Sequence, residues 1–218
     1  MNNNIHEEKL IKLMTGHLTD SPEIETVRKD AVKRNIPVIQ RESAEIICLL
    51  IRTAGIKSIL EIGTAVGYSA AIFYEEMGNG RITTIEKRHD CVIEAKENFD
   101  SFGYKSIRIL EGDALDLIVS IEEKFDMVFI DAGKSHYREY FDKTFPLLKD
   151  GGMIISDNIL MNGLTLNYDM KVRKNRTMVR GMRGYIKFLC NHPELKTTLI
   201  PVGDGLAVSH CQKETINE

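Results

Sequence analysis

Two short stretches of the chain are rich in oxygen donors. "VFIDAGKSHY" places Asp131 after an apolar run and Lys134 three residues later, and "IISDNIL" places Asp157 and Asn158 after a second run. Two carboxylates and an amide carbonyl form a hard donor set that suits a divalent cation such as Mg²⁺, with the remaining octahedral positions left to water and a ligand. A cation held there would orient a bound hydroxyl and ease loss of its proton, and Lys134 could receive that proton. Taken singly, each residue has a plainer reading. An aspartate at a strand end caps the next helix, Asp-Asn makes a turn, Lys134 on a first helical turn is solvated, and His136 belongs to the surface or to a supporting position.

A third stretch, "LEIGTAVGYS", brings Glu61, Gly63 and Gly67 together. The glycines let the backbone turn tightly beside a ligand. Their spacing is GxxxG after an acid, whereas a nicotinamide or flavin fingerprint reads GxGxxG and frees helix amides for a pyrophosphate. An acid without a phosphate cradle suits a cationic ligand with an amino-acid end. Glu86, 19 residues after Gly67, is placed to grip ribose hydroxyls.

Charge marks a fourth stretch, "KVRKNRTMVRGMRGY". It holds Lys171, Arg173, Lys174, Arg176, Arg180 and Arg183 with no acid among them, so the remainder of a chain of formal charge −3 carries −9. Such a run is either a solvated or dimer-contact loop or a receiver of phosphates, with arginine also able to stack on an unpaired base.

The elements that must position these residues follow from periodicity. Before about residue 57 the spacing predicts helices, in "IHEEKLIKLM", after Asp20-Ser21-Pro22, and in "SAEIICLLIRTAG" with Gly55 as its stop. From Ser58 onward "SILEI", "RITTIE", "SIRILEG", "FDMVFID" and "GGMIISD" alternate with helical stretches near 69–77, 90–101, 114–122 and 135–148. That alternation predicts a parallel, doubly wound α/β sheet. A helix near 178–191 then precedes "TTLIPV" and "GLAVSHC", joined as an antiparallel hairpin through Gly203-Asp204-Gly205. The ends of the fourth and fifth strands share one rim, so Asp131, Asp157 and Asn158 converge.

The 218 residues fit one domain, 1–218, with a helical elaboration over 1–56 and a core over 57–211. With 43% hydrophobic and 28% charged residues, the composition favours neither disorder nor a membrane protein. Cys48, Cys91, Cys190 and Cys211 lack ligand or redox spacing and read as free thiols. The N-terminus has no signal-peptide pattern and no apolar run is long enough to span a bilayer, so the expected location is cytoplasmic.

The acid-GxxxG stretch, Glu86 and the terminal hairpin together resemble the class I S-adenosylmethionine-dependent methyltransferases over roughly residues 57–211. The resemblance implies a seven-stranded Rossmann-like sheet. It also implies a cofactor pocket lined by Glu61, Gly63, Ser69, Glu86, Asp113, Ala114 and Asp131, closed by Ile39 or, one residue displaced, by Val38. D-x-x-K followed by D-N further resembles the metal-dependent O-methyltransferases of the catechol and caffeoyl-CoA type. This implies Asp131, Asp157 and Asn158 as cation ligands, and Lys134 with Asp131 as catalytic residues. Ala132 and Gly133 stand where that family carries aromatic companions, and the chain has no Trp, which counts against a catechol-sized aromatic pocket.

An acceptor chelated by the cation must offer two adjacent oxygens, as catechols do and as 5-hydroxyuridine does through O5 and O4. "RTMVRGMRGY" resembles the bacterial tRNA 5-hydroxyuridine methyltransferases of this family. The expectation is therefore methylation of wobble 5-hydroxyuridine to 5-methoxyuridine, with the tRNA anticodon loop as partner and the six basic residues on its backbone. The alternatives are a small catechol or a caffeoyl-CoA thioester, whose phosphates the same charge would receive, and a non-catalytic RNA-binding protein. A nicotinamide dehydrogenase is disfavoured by the glycine spacing. By the same resemblance the expected assembly is a homodimer.

Overall fold

Ser21 and Pro22 start helix α1 (Pro22–Lys33). The serine hydroxyl accepts the Ile24 N–H at 3.5 Å, and proline at the first turn gives up no helical hydrogen bond. The computed structural model of the chain describes residues 13, 21–78, 80–167 and 176–212. The helix expected in "IHEEKLIKLM" lies outside them except for Leu13, which is helical. Helix α2 (Arg41–Ala54) stops at Gly55, whose φ of 65° is the left-handed conformation that favours glycine.

The alternating half folds as β1 (Ser58–Ile62), α3 (Tyr68–Met77), β2 (Arg81–Glu86), α4 (His89–Phe102), β3 (Ile107–Glu111), α5 (Ala114–Leu117), β4 (Phe125–Ile130), α6 (Tyr137–Thr144) and β5 (Leu148–Ser156). Helix α7 (Arg176–Cys190) and strands β6 (Leu195–Ile200) and β7 (Leu206–Cys211) complete the described elements. The seven-stranded sheet runs β3-β2-β1-β4-β5-β7-β6. Strands β1 to β5 pair in parallel, and β7 pairs antiparallel with both β5 and β6. This is a seven-stranded Rossmann-like sheet with a terminal antiparallel pair, as expected. The order reverses direction between β1 and β4, the place where open sheets of this kind bind ligands.

Alternation along the strands divides the core. Ile59, Met127, Phe129 and Ile155 face the side covered by Ile24, Ile47, Ile51, Phe73 and Phe99 of α1 to α4. Leu60, Ile62, Val128, Ile130 and Ile154 face Tyr137 and Phe141 of α6 and Tyr185 and Leu189 of α7. Phe73 meets Phe129 edge-on at 5.3 Å, a contact whose truncation to alanine at either ring costs about 3–5 kcal/mol.

The structure corrects several boundaries. The helix expected over 135–148 is interrupted: one 3₁₀ turn (Lys134–His136) precedes α6, another (Phe145–Leu147) follows it, and β5 already begins at Leu148. The helix expected over 114–122 shrinks to α5 and a 3₁₀ turn. β6 pairs two residues earlier than the "TTLIPV" run, because Pro201 has no N–H for the ladder and Ile200 already opposes Leu206.

Candidate active site

The sheet continues its hydrogen bonds one residue past three strand ends. Gly63 N–H donates to Ile85, Asp131 N–H to Ile62, and Asp157 N–H to Ile130, each at 3.0 Å. Gly63, Asp131 and Asp157 therefore step along one rim, at the ends of β1, β4 and β5. A cavity of ≈ 470 Å³ opens there.

Seven of the eight residues expected around a cofactor line this cavity: Ile39, Gly63, Ser69, Glu86, Asp113, Ala114 and Asp131. Val38 lines it as well, so the one-residue alternatives for the N-terminal segment are both present. Gly63 is required twice over. Its φ is 103°, and a methyl group there would overlap the carbonyl oxygen of Asp131. Ala65 holds a φ of 44°, rare for a side chain, and its N–H is fixed to Glu86 Oε2 at 2.9 Å. Glu86 Oε1 takes the N–H groups of Lys87 and Arg88, both at 2.9 Å. Asp113 caps α5 by accepting the Leu115 N–H at 3.0 Å, so it does the capping work that any strand-end aspartate could do and lines the cavity besides.

Glu61 is the exception. It is fully buried behind the cavity wall, where Ser69 Oγ and Thr84 Oγ1 each donate to it at 2.5 Å. Burial pushes its carboxyl up to about 7, against the two hydroxyl bonds that pull it down. Glu61 thus meets the cavity only through Ser69.

Asp131, Lys134 and Asn158 also line the cavity, whereas Asp157, buried and next in sequence to Asn158, is not among the lining residues. Both carboxylates are pushed up by burial. Asp157 is raised further by the charges of Asp131 and Asp204, and Lys134 lowers both. Asp157 Oδ1 accepts the Asn158 N–H at 2.6 Å, whereas the buried Oδ2 has no hydrogen-bond partner. Asn158 holds a φ of 55° that turns the chain at the rim. A buried oxygen without a donor beside a second buried carboxylate is costly unless a cation compensates it. Among the described residues no group of three or more His, Cys, Asp or Glu could hold a metal ion. The donors at hand are two carboxylates and an amide oxygen, a set that fits a hard divalent cation.

Several residues escaped the sequence reading of this site, among them Tyr68, Arg88, Cys91 and Tyr140 on the cavity wall and Asp204 beside it. Tyr140 lines the cavity from α6, and no spacing from Lys134 marks it, because Lys134 lies in a 3₁₀ turn ahead of that helix. Asp204, in the β6–β7 turn, lies 3.7 Å from Lys134 Nζ. No local pattern marks it.

Of the six basic residues in the charged stretch, Lys171, Arg173 and Lys174 lie outside the described residues. The rest of the stretch is helical, with Val179, Met182, Tyr185 and Leu189 forming the buried face of α7 and Arg176 and Arg180 exposed. Arg183 donates to the carbonyls of Thr165 at 2.8 Å and Asn167 at 2.7 Å, and so fixes the chain that leaves the Asp157-Asn158 rim.

The profile of one family, described as O-methyltransferase, matches residues 16–213. A catechol O-methyltransferase of Niastella koreensis is 32% identical over 172 residues, 74% of this chain and 76% of that protein. Among solved structures, a candidate caffeoyl-CoA O-methyltransferase from Staphylococcus aureus superposes with a TM-score of 0.88 at 34% identity, covering 95% of this chain and all of the other (100%). An O-methyltransferase from Bacillus cereus, solved in complex with SAH, superposes with a TM-score of 0.83 at 25% identity, covering 94% and 97% of the two chains.

Proposed function

This chain belongs to the O-methyltransferase family, and on that premise we propose that it moves a methyl group from S-adenosylmethionine to one oxygen of an adjacent oxygen pair, with a divalent cation at the rim. The observation that carries the proposal is the partnerless, buried Asp157 Oδ2 beside Asp131, with Lys134 on the same cavity wall. Asp131, Asp157 and Asn158 would hold the cation. When bound, the cation supplies a chelate for two adjacent oxygens, and the sulfonium supplies an electrophilic methyl group. Glu86 lies where ribose hydroxyls would be received, and Ile39 with Val38 closes the cavity against water. Lys134 takes the hydroxyl proton as the oxygen attacks, and the rigid rim keeps the reacting atoms in line.

For the acceptor, the named relatives support a catechol-type small molecule or a caffeoyl-CoA thioester. A second reading, 5-hydroxyuridine of a tRNA anticodon loop, is favoured by Arg176 and Arg180, which are exposed at the start of α7 and follow Lys171, Arg173 and Lys174 in the sequence. Both acceptors present two adjacent oxygens to the same site, so one assay separates them. Purified protein is mixed with methyl-labelled cofactor, Mg²⁺ and, in parallel, catechol, caffeoyl-CoA and tRNA bearing 5-hydroxyuridine. Label is expected in at least one acceptor and is expected to disappear with EDTA and with Asp157→Ala. Label that persists unchanged under both treatments would refute the cation site, and the acceptor labelled fastest decides between the readings.

A further inference from the structure

Asp204 belongs to a turn, yet its side chain is only 10% exposed and is directed at the active-site rim. Its Oδ1 accepts the Asn162 N–H at 2.6 Å, and its backbone carbonyl accepts that of Leu160 at 2.8 Å. The next carbonyl, of Gly205, accepts the Ile159 N–H at 3.1 Å. The chain that leaves Asp157 and Asn158 is thus tied to this turn at three amides. Oδ2 lies 3.7 Å from Lys134 Nζ, beyond hydrogen-bond length but near enough for its charge to act on that nitrogen. The turn has little room to shift. A methyl group on Gly203 would overlap the side chains of Gln40 and Ser43, and one on Gly205 would meet Leu160 Cγ at 2.5 Å. It is held between the start of α2 and the rim.

We propose that Asp204 is a positioning residue for methyl transfer, one carboxylate oxygen fixing the loop that carries Asp157 and Asn158 and the other holding Lys134 at the cavity and stabilising the ammonium it becomes. The proposal rests on Lys134 being the proton acceptor. In that step Lys134 enters as the neutral amine, its own proton having gone to solvent beforehand; the acceptor's hydroxyl proton passes to Nζ, and the oxygen's electron pair forms the new bond to the methyl carbon. The methyl–sulfur bond breaks with its pair left on sulfur. The positive charge lost from the sulfonium reappears on Lys134, where the anion of Asp204 faces it.

Asp204→Asn keeps an oxygen for the Asn162 N–H and removes only the charge, so a residue with a purely structural role would tolerate it. The full chain is assayed as wild type, Asp204→Asn, Asp204→Glu, Lys134→Ala and the double variant Asp204→Asn/Lys134→Ala, on whichever acceptor the wild type methylates. The measurements are kcat, the KM for cofactor, S-adenosylhomocysteine affinity by calorimetry, and Mn²⁺ affinity by electron paramagnetic resonance. Asp204→Asn is expected to lower kcat about 10–100-fold, with KM and both affinities within about twofold of wild type. Asp204→Glu should recover part of the loss, and the double variant should be no slower than Lys134→Ala alone, because the two residues act as one unit. A normal kcat for Asp204→Asn, or additive losses in the double variant, overturns the proposal while a crippled Lys134→Ala leaves the underlying reading standing. A wild type that binds no Mn²⁺ or methylates nothing, or a fully active Lys134→Ala, overturns both.

Discussion

Glu61 holds its carboxyl at about 7 chiefly because it is buried, with the charges of Asp131 and Glu86 adding to the rise and two hydroxyl groups opposing it. The sign of the consequence is fixed by linkage. Between the ordinary value of 4.5 and about 7 the folded chain keeps a proton that the unfolded chain releases, so stability falls as pH rises through that window and levels off above it. Glu61→Gln removes the share of this slope that belongs to Glu61, leaving that of Asp131 and Asp157, and at pH 8 it should make the ligand-free protein more stable by up to about 3 kcal/mol. Melting curves of both proteins from pH 4 to 8 check it, and parallel pH profiles would count against the buried charge as their source. A similar conflict between stability and function sits at Asp157. Asp157→Asn relieves the repulsion with Asp131, so in EDTA its melting point should rise above that of the wild type while methyl transfer is lost. Adding Mg²⁺ should raise the wild-type melting point and leave that of the variant unchanged.

Gly63 shows how closely the elements must approach to build the rim. Because its Cβ would occupy the space of the Asp131 carbonyl, Gly63→Ala is expected to force β1 and β4 apart at their ends. It should cost about 2–4 kcal/mol of stability and weaken S-adenosylhomocysteine binding by more than about tenfold, read by calorimetry. Much at this scale was legible beforehand. β1 and β2 have the expected bounds, since each is a β-branched run closed by a turn residue or a change to polar residues. The start of β5 was hidden, because "LKDGG" reads as a turn although the strand runs through it, with Gly151 at a φ of 72° and a shift in register against β4 between Phe125 and Met127. Asp131, Asp157 and Asn158 could be read from local runs that end in polar residues. Asp204 could not, because only the return of β7 beside β5 brings it to Lys134, and that pairing leaves no mark near residue 204.

Over the whole molecule, the charge is divided between a basic stretch around the start of α7 and a remainder of formal charge −9. If tRNA is the acceptor, replacing Arg176 and Arg180 with alanine should lower its methylation, and rising salt should slow that reaction steeply, as phosphate contacts require. Turnover of catechol should respond weakly to both changes, and equal responses of the two acceptors would sink the tRNA reading. No helix among the described residues is long and apolar enough to cross a membrane, so nothing in them ties that basic face to a bilayer through a spanning segment. The strand order carries one more consequence. The last strand among the described residues, β7, is an interior strand that separates β5 from β6, and the turn leading into it supplies Asp204 and Gly205 to the rim. During synthesis β5 and β6 leave the ribosome first and must stay unjoined until Leu206–Cys211 arrive between them. If Asp204 positions Lys134 as proposed, a chain whose β1 to β5 half has folded lacks that contact until β7 has inserted between β5 and β6.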